Sequence, residues 1–258
     1  MDIITSRNNT KIQRAVKLKQ KKYRDDASLF CFEGIKLYKE AKAAGVRFTD
    51  VFVTERALGR LEQENAPFDF PVTLVTDAVF EKLTHEQAPE GVFCVAQKWV
   101  CPPPAQPTKL IVCSVRDPGN LGTIIRSALA FNLGELILSA DCPDIFSYKV
   151  IRASMGACFK QCIKIINNLY TQIDNLKKCG YNLFAATLSA DSLPVDQISI
   201  DRQCCFVIGN EGHGLPEDVI AACGSKAVIP IAPGAESLNA SIAASIFMWE
   251  IQRKSHVD

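Results

Sequence analysis

The spacing of apolar positions divides the second half of the chain into alternating strands and helices. Continuous apolar runs predict buried strands, at 109–115, 135–139, 181–187, 203–208 and 227–231. Apolar residues at helical spacing lie between these runs, and the last such stretch extends from about Asn239 to Lys254. This alternation predicts an α/β fold in which helices cover both faces of a parallel sheet.

The first half of the chain shows the same alternation at a smaller scale. Asn9 or Thr10 can cap a first helix, on which Ile12, Val16 and Tyr23 share one stripe. Further strands are predicted at 29–32, 49–53, 72–75 and 92–97, and further helices at 35–44, 55–64 and 77–83. These elements predict a separate, small α/β domain.

A proline-rich stretch separates the two halves. Residues 101–107 read CPPPAQP, which places four prolines in seven residues. Proline suits neither a helix interior nor a central strand, and such a run favours an extended spacer. We therefore expect one domain over 1–100, a spacer over 101–108 and a second domain over 109–258.

The charge of the chain is nearly balanced but unevenly distributed. The 29 basic residues almost match the 28 acidic ones, so the total does not point to a nucleic-acid partner. The first 24 residues, however, contain the single acid Asp2 and eight cations. These are Arg7, Lys11, Arg14, Lys17, Lys19, Lys21, Lys22 and Arg24. A local basic segment of this kind can hold phosphates while the rest of the protein stays neutral.

The cysteines and histidines argue against a metal site. The chain has 11 cysteines without a Cys-x-x-Cys pair, and only 3 histidines, so we expect no metal. An odd number of cysteines in apolar strands is typical of reduced core thiols and of a reducing cytosol. The N-terminus lacks an apolar signal core, and no apolar run is long enough to span a membrane. We expect a cytoplasmic protein.

Three loops carry the polar residues that indicate a function. Each follows an apolar strand and is rich in glycine, proline and asparagine. They lie within 114–126, 206–216 and 229–241. Open α/β sheets hold ligands at the carboxyl ends of their strands, so we expect these loops to form a binding site.

In order, spacing and polar residues, the three loops resemble motifs 1, 2 and 3 of the SpoU–TrmH family of RNA ribose 2′-O-methyltransferases, in the SPOUT superfamily. The likeness extends from Ser114 to Ile251. With Arg7-Asn8-Asn9 and Phe32-Glu33-Gly34, the first domain resembles, more loosely, the ribosomal-protein-like substrate-binding domain that precedes many such catalytic domains.

The resemblance implies features that periodicity and spacing do not show. One is a trefoil knot near the carboxyl end, which forms the pocket for S-adenosylmethionine and which general topology rules would argue against. Another is a homodimer formed through the C-terminal domain. The family positions that contact the cofactor correspond to Thr187, Leu188, Gly209, Ile229 and Leu238.

Glycine at 209 is expected because a side chain would keep the ligand away from the backbone. The alternative for Ile229 and Leu238 is that they are plain core residues.

The implied catalytic residues are Asn120, Arg126, Glu211, Ser237 and Asn239. The family proposal is that the arginine activates the ribose 2′-hydroxyl, even as a general base. A guanidinium keeps its proton in proteins, so we prefer a charged Arg126 that grips a phosphate and stabilises the developing alkoxide.

Simpler interpretations exist for each of these residues. Arg126 can be a solvated helical arginine, although it shares a helix face with Thr123. Asn120, Ser237 or Asn239 can be helix caps, and Glu211 can be a solvated loop acid.

Other positions leave alternatives open. Arg152, in a segment that resembles one near the family's dimer interface, is expected either to meet RNA or the partner's active site or to be an ordinary surface arginine. His213 is expected to be a loop residue. Ala232 and Asn132 depart from the family pattern, which puts the shape of the pocket in doubt but not the reaction.

Three functions were weighed. A Rossmann-type nucleotide enzyme is excluded because the chain has neither a Gly-x-Gly-x-x-Gly sequence after the first strand of either domain nor a Walker loop. A non-catalytic RNA-binding protein predicts decay of the polar motif residues, which are intact. We therefore expect an enzyme that methylates ribosomal (23S) RNA, with transfer RNA as the alternative. RNA contacts are expected from the basic segment and Arg152, namely Arg7, Lys11, Arg14, Lys17, Lys21, Lys22 and Arg152.

Overall fold

The computed structural model describes residues 3–63, 68, 70–99, 104, 106–200, 203–210 and 212–255. The chain forms two compact units. The first comprises residues 1–100 together with 144–152, and the second comprises 101–143 together with 153–258. In the part of the chain that is described, no helix is both long and apolar enough to cross a membrane.

The first unit is built around a mixed five-stranded sheet. Its strands are β1 (Ile3–Ile4), β2 (Leu29–Glu33), β3 (Phe48–Val53), β4 (Thr73–Val75) and β5 (Val92–Gln97). Its helices are α1 (Thr10–Lys17), α2 (Lys21–Ala27), α3 (Ile35–Ala43), α4 (Glu55–Gln63) and α5 (Asp77–Leu83). The strand order is β1-β4-β3-β5-β2, and β5 runs antiparallel to both of its neighbours. One face of this sheet packs on Ile12 of α1 and Phe80 of α5.

The predicted first helix is two helices, so one part of the sequence interpretation is wrong. Asn9 caps α1 by accepting from the backbone N of Lys11 at 2.9 Å, but α1 ends at Lys17 and Gln20 is extended. Tyr23 therefore lies on α2 and not on a stripe with Ile12. The break is held by a local side-chain contact, because the Arg24 guanidinium donates 2.9 Å hydrogen bonds to the carbonyls of Leu18 and Lys19.

The segment 144–152 completes the first unit. Asp144 forms a buried ion pair with Arg24, with Oδ2 2.7 Å from Nη2. Phe146 packs on Phe30 at a ring-centroid distance of 5.3 Å. The ring of Tyr148 stacks on that of His85 at 4.3 Å. A buried basic residue near the start of the chain thus meets its acid 120 residues later.

The second unit contains a seven-stranded sheet. Its strands are β6 (Lys109–Val112), β7 (Glu135–Ser139), β8 (Ile163–Ile166), β9 (Asn182–Ala186), β10 (Leu193–Pro194), β11 (Cys204–Ile208) and β12 (Ser225–Val228). The order is β10-β12-β9-β11-β6-β7-β8, and every pairing is parallel. Its helices are α6 (Pro118–Ala130), α8 (Leu169–Lys178), α9 (Glu217–Cys223) and α10 (Ala240–Ser255), with a short 3₁₀ helix at Ala157–Phe159. Helix α7 (Tyr148–Ala153) lies, except for its last residue, in the first unit.

Helices cover both faces of this sheet, as the sequence predicts. Cys205 and Val207 of β11 belong to a core with residues of α8 and α9. Phe206 points to the opposite face because strand residues alternate, and its ring lies 4.6 Å from that of Phe247 in α10. The α/β fold with a parallel sheet is confirmed, whereas the trefoil knot stays a prediction.

The described cysteines are free thiols, and most of them are buried. Burial raises the pKa of Cys31 to about 12 and also raises the pKa of Cys94. These thiols therefore stay protonated and act as small apolar core residues.

Candidate active site

The three motif loops meet at one edge of the seven-stranded sheet. They follow β6, β11 and β12, which lie within four adjacent positions of the strand order. Because all these strands are parallel, their carboxyl ends face the same way. This edge is where open α/β sheets hold ligands.

The motif 1 loop leads into α6, and the cap of that helix is Asp117. Its Oδ1 accepts from the backbone N of Asn120 at 2.7 Å, and Pro118 occupies the first helical position. The helix-cap alternative for Asn120 is therefore wrong. An aspartate directly before a proline at a helix start is a recognised capping signal, and it could have identified Asp117 from the sequence.

Asn239 joins motif 3 to motif 1. Its Oδ1 accepts from the backbone N and the hydroxyl of Ser241, at 2.9 and 2.6 Å, at the start of α10. Its Nδ2 donates to Oδ1 of Asn120 at 3.1 Å. Asn239 is thus a helix cap, as the simpler interpretation predicts. It also fixes the position of Asn120, which is another predicted catalytic residue.

The motif 2 loop is closed tightly and tied to motif 1 by Asn210. Backbone hydrogen bonds of 3.0 and 3.1 Å join Asn210 and Gly214 in both directions. The Asn210 side chain accepts from the backbone N of Gly212 at 2.8 Å and donates to the carbonyl of Ser114 at 2.8 Å. Ser114 has a left-handed backbone, with a φ of 56°.

Asn210 is not among the residues that the motifs predict. An asparagine that opens a glycine-rich loop is a turn signal, and it could have indicated this role. Glu211 itself lies outside the described residues.

Gly209 is required by the close approach of this same loop. A Cβ at position 209 would lie 2.2 Å from the carbonyl carbon and oxygen of Gly214 and 2.6 Å from the backbone N of Leu215. The expected reason, access of a ligand to the backbone, is therefore not the main one. The glycine permits the turn that brings the loop back over the end of β11.

A cavity of about 620 Å³ lies against these loops. It is lined by all five residues predicted to contact a cofactor, namely Thr187, Leu188, Gly209, Ile229 and Leu238. Ser237 of motif 3 also lines it. Ile229 and Leu238 are half-buried. Plain core residues would be fully buried, so the burial of these two residues does not support that alternative. We call this space the motif cavity.

The motif cavity has an acidic character. Among the described residues that line it, the carboxylates are Glu217 and Glu236, and none is a lysine or an arginine. Neither carboxylate forms an ion pair within the described part of the chain. His213 also lines the cavity and is exposed. A cationic ligand is therefore better matched to this cavity than an anionic one.

Arg126 lies on α6, six residues after Asn120. It is exposed between the buried residues Ile125 and Ala128, and it forms no ion pair within the residues described. It does not line the motif cavity. The hydroxyl of Thr123 on the same helix donates to the carbonyl of Gly119 at 2.9 Å and so is engaged with the backbone.

The predicted RNA-binding residues divide into paired and unpaired cations. Arg7 pairs with Glu81, and Lys21 pairs with Asp25, each at 2.5 Å. The Asp25 hydrogen bond raises the pKa of Lys21, and Lys21 together with Lys98 lowers the pKa of Asp25 to about 2. Arg152 pairs with Glu86 and lies close to Tyr148.

Four predicted cations carry no ion pair within the described residues. Lys11, Arg14 and Lys17 lie along α1, and Lys22 is exposed on α2. Sequence reasoning could not identify Arg7 and Arg152 as paired, because their acids are far away along the chain. The i, i+4 spacing of Lys21 and Asp25, in contrast, could have indicated that pair.

No cluster of three or more His, Cys, Asp or Glu side chains among the described residues is placed to hold a metal ion.

Comparisons with known proteins identify both units. The model of the SpoU rRNA Methylase family matches residues 107–249. The model of the MRM3-like substrate binding domain matches residues 9–94.

Curated relatives match over almost the whole chain. An uncharacterized tRNA/rRNA methyltransferase of Synechocystis is 30% identical over 97% of this chain and 93% of that protein. The 23S rRNA (guanosine(2553)-2′-O)-methyltransferase RlmP of Bacillus subtilis is 27% identical over 98% of this chain and 100% of that protein.

A solved structure agrees with these matches. The AdoMet-bound rRNA methyltransferase of Sinorhizobium meliloti superposes with a TM-score of 0.85 at 30% identity, over 100% of this chain and 99% of that one.

Proposed function

Because the chain belongs to the SpoU rRNA methylase family, we propose that the motif cavity is its S-adenosylmethionine site and that the motif residues beside it hold the ribose. The protein is an S-adenosylmethionine-dependent RNA 2′-O-ribose methyltransferase. The observation that carries the assignment of the site is that one cavity gathers Thr187, Gly209, Ile229, Ser237 and Leu238.

The residues of the motif cavity fit this cofactor. Its volume of about 620 Å³ lies within the range of about 300–1,000 Å³ that is usual for small-molecule sites. Backbone groups of the tight loop at 209–214 suit an adenine edge, and Ile229 and Leu238 supply apolar surface. When bound, the cofactor supplies an electrophilic methyl group on a positively charged sulfur. Glu217 and Glu236 match that charge.

The neighbouring side chains position the ribose. The hydrogen bond between Asn120 and Asn239 fixes both amide groups on two helices that pack together, since Ser127 and Ser245 of the same helices also join at 2.8 Å. Nδ2 of Asn239 retains a second N–H, which we assign to an oxygen of the acceptor nucleotide. Holding two reacting groups in line contributes about 7–11 kcal/mol.

Arg126 serves as a fixed cation. Its exposed guanidinium without an ion pair can bind an RNA phosphate and stabilise the negative charge that develops on the 2′-oxygen. Removing one preorganised donor of this kind costs about 100- to 1,000-fold in rate.

Ribosomal RNA of the large subunit is the proposed substrate. RlmP, which aligns over its full length with this chain, is named for 23S rRNA. The family model that matches the first unit is that of a substrate-binding domain. Transfer RNA is the second candidate, because the Synechocystis relative is named for both RNA classes. The homodimer and the cytoplasmic location stay predictions.

The test is methyl transfer from labelled S-adenosylmethionine to bulk ribosomal RNA or transfer RNA from cells that lack the protein. We expect alkali-resistant 2′-O-methyl linkages in ribosomal RNA. Arg126→Ala should lose about 100- to 1,000-fold in rate while the calorimetric Kd for the cofactor stays the same. Lys178→Ala, which removes an exposed cation from α8, is the matched control.

Three results would contradict parts of this proposal. If 2′-O-methyl linkages are found only in transfer RNA, the proposed reaction is supported but the substrate is transfer RNA and not ribosomal RNA. Full activity of Arg126→Ala would remove that residue from the mechanism. Calorimetry would overturn the assignment of the motif cavity if the unaltered protein did not bind the cofactor, or if Leu238→Trp, with a larger side chain in the lining, bound it as tightly as the unaltered protein.

A further inference from the structure

A second cavity, of about 300 Å³, lies in the first unit and has a different chemistry. It is bounded by α1, α2 and the strands β2, β3 and β5. Its floor is apolar and includes Leu18, Leu29 and Val95. Lys11, Arg14 and Lys17 line it from α1, and Tyr23 lines it from α2. We call it the α1 cavity.

The cations of the α1 cavity are the uncompensated part of the basic segment. Lys11, Arg14 and Lys17 are spaced by three residues and so share one side of α1. None of them forms an ion pair within the described residues, whereas Arg7, Lys21 and Arg24 are each paired with an acid. Unpaired cations along a groove are the usual means of holding a phosphate backbone.

An aromatic ring stands beside these cations. Tyr23 is half-buried, and the ammonium of Lys17 lies 5.6 Å from its ring centroid. Side-chain rings next to positive charge are the platforms on which unstacked RNA bases are held. The volume of about 300 Å³ is at the lower end of the usual range for small-molecule sites, about 300–1,000 Å³, which suits one nucleotide.

Two carboxylates also line the α1 cavity, and one of them is placed there by an irregularity in the sheet. They belong to Asp26 of α2 and Asp50 of β3, and neither forms an ion pair within the described residues. The pairing of β3 with β5 shifts register between Phe48 and Asp50. Such β-bulges redirect side chains and are common next to binding sites.

The carboxylates give the cavity a preference among bases. A carboxylate accepts hydrogen bonds from the amino group of cytosine, whereas uracil presents a carbonyl at the same ring position and repels it. A cation that binds phosphate, a ring that stacks and an acid that accepts from an amino group are the three contacts that one extruded nucleotide requires.

We propose that the α1 cavity binds a single unstacked nucleotide of the RNA substrate, with a base that carries an amino group. This inference rests on the proposed function, because it assumes that RNA is bound. It adds a site distant in sequence from the methylation motifs, and it assigns base selection to Asp26 and Asp50 and stacking to Tyr23.

The test compares two labelled single-stranded RNAs, oligocytidylate and oligouridylate of equal length, by fluorescence anisotropy with the full chain. These RNAs differ at ring position 4, where only cytosine carries the amino group that the carboxylates would read, and at N3, which carries a proton only in uracil. We expect oligocytidylate to bind about tenfold more tightly, the ratio for a single good base contact. Asp26→Asn combined with Asp50→Asn should remove this ratio. Asp77→Asn, an exposed acid on α5, should leave it unchanged.

The ring is tested separately. Tyr23→Ala should weaken the binding of both RNAs by about tenfold, in line with the loss of one stacked base. Tyr23→Phe should retain normal binding of both. Arg14→Ala should weaken the binding of both RNAs, whereas Lys36→Ala removes an exposed cation of α3 outside the cavity and should change little. Circular dichroism checks that each variant is folded.

Failure of this inference differs from failure of the proposed function. Equal affinity for the two RNAs, or an unchanged ratio in the double aspartate variant, would overturn the nucleotide site. Tyr23→Phe that binds as weakly as Tyr23→Ala would overturn the stacking role. Calorimetric cofactor binding and methyl transfer report on the motif cavity and do not depend on these outcomes.

Discussion

The two cavities of this protein carry opposite charge, although the whole chain is almost neutral. The motif cavity has two carboxylates and no lysine or arginine among its described lining residues. The α1 cavity has three cations without ion pairs against the two carboxylates of Asp26 and Asp50, so its formal charge is positive. A cationic cofactor and an anionic RNA need opposite fields, and each field falls off over about 8 Å at physiological salt. The formal net charge of +1 therefore says little about what either cavity binds.

The cavities also differ in how they are built. The motif cavity is made largely of loops after parallel strands, and its shape depends on backbone approaches such as that of Gly209 to Gly214. The α1 cavity is made of side chains on helices and strands, and one of these strands is irregular at Asp50. Small changes of backbone are expected to damage the first, and changes of charge the second.

The largest expected effect concerns Arg24. It tests whether all eight cations of the first 24 residues form one exposed electrostatic surface or whether Arg24 has a structural role instead. Arg24→Ala should destabilise the first unit by about 3–5 kcal/mol, because it leaves the largely buried Asp144 carboxylate without its cation. Unfolding by urea can be followed through Trp99, which packs 5.4 Å from Phe30, in a Trp249→Phe background. Lys22→Ala is the control and should stay within about 0.5 kcal/mol of the unaltered protein. An unchanged midpoint for Arg24→Ala would mean that Arg24 behaves as a surface cation.

The second-largest expected effect is a difference in salt dependence between RNA binding at the α1 cavity and cofactor binding at the motif cavity. If three phosphates are held, RNA affinity should fall about twentyfold between about 50 and about 200 mM salt. Replacing Lys11, Arg14 and Lys17 together by alanine should remove most of this dependence in a filter-binding titration. The Kd for S-adenosylmethionine should vary far less over the same range. If the triple variant keeps the same dependence of RNA affinity on salt, the phosphate contacts lie elsewhere.

A backbone change should act only on the motif cavity. Gly209→Ala should weaken cofactor binding by about tenfold, because a Cβ there meets the backbone of Gly214 and the loop must move. Isothermal calorimetry measures this loss. Gly59→Ala in α4 is the control, since nothing lies within 4 Å of the added Cβ, and a helix interior favours alanine by about 1 kcal/mol. Normal binding by Gly209→Ala would show that the loop adapts without cost.

The smallest expected effect concerns the carboxylates. Glu217→Gln and Glu236→Gln together should weaken binding of S-adenosylmethionine by about threefold, a modest factor because exposed charges are screened. Binding of S-adenosylhomocysteine, which lacks the positive sulfur, should hardly change. Competition calorimetry gives the ratio of the two affinities. An equal loss for both ligands would mean that the glutamates act through packing and not through charge.

The sequence predicts buried strands well and short or exposed strands poorly. Strands β5 and β7 end at the residues that their apolar runs indicate, because continuous burial leaves a clear pattern. β8 was missed because Lys164 and Ile165 are exposed, and β10 because it has only two residues. The break between α1 and α2 depends on Arg24 bonding the carbonyl of Leu18, a contact that no local pattern contains.

The candidate site was predictable as a set of residues but not as an arrangement. Motif spacing indicated Asn120 and Asn239, yet only the fold shows that their side chains join. Asn132, noted as a departure from the family pattern, has a φ of 51°. Asparagine tolerates this left-handed backbone better than most residues, so the departure needs no other change.

The pairing of Arg24 with Asp144 also affects the order in which the protein takes shape during synthesis. The ribosome adds about 5–20 residues per second, and these two residues are 120 positions apart. The N-terminal unit is therefore incomplete until residues 101–143 of the second unit and then its own segment 144–152 have been translated. A fragment cut at residue 100 would expose a buried arginine without its acid and the rings of Phe30 and His85 without Phe146 and Tyr148. The first half of the gene alone does not encode a complete first unit.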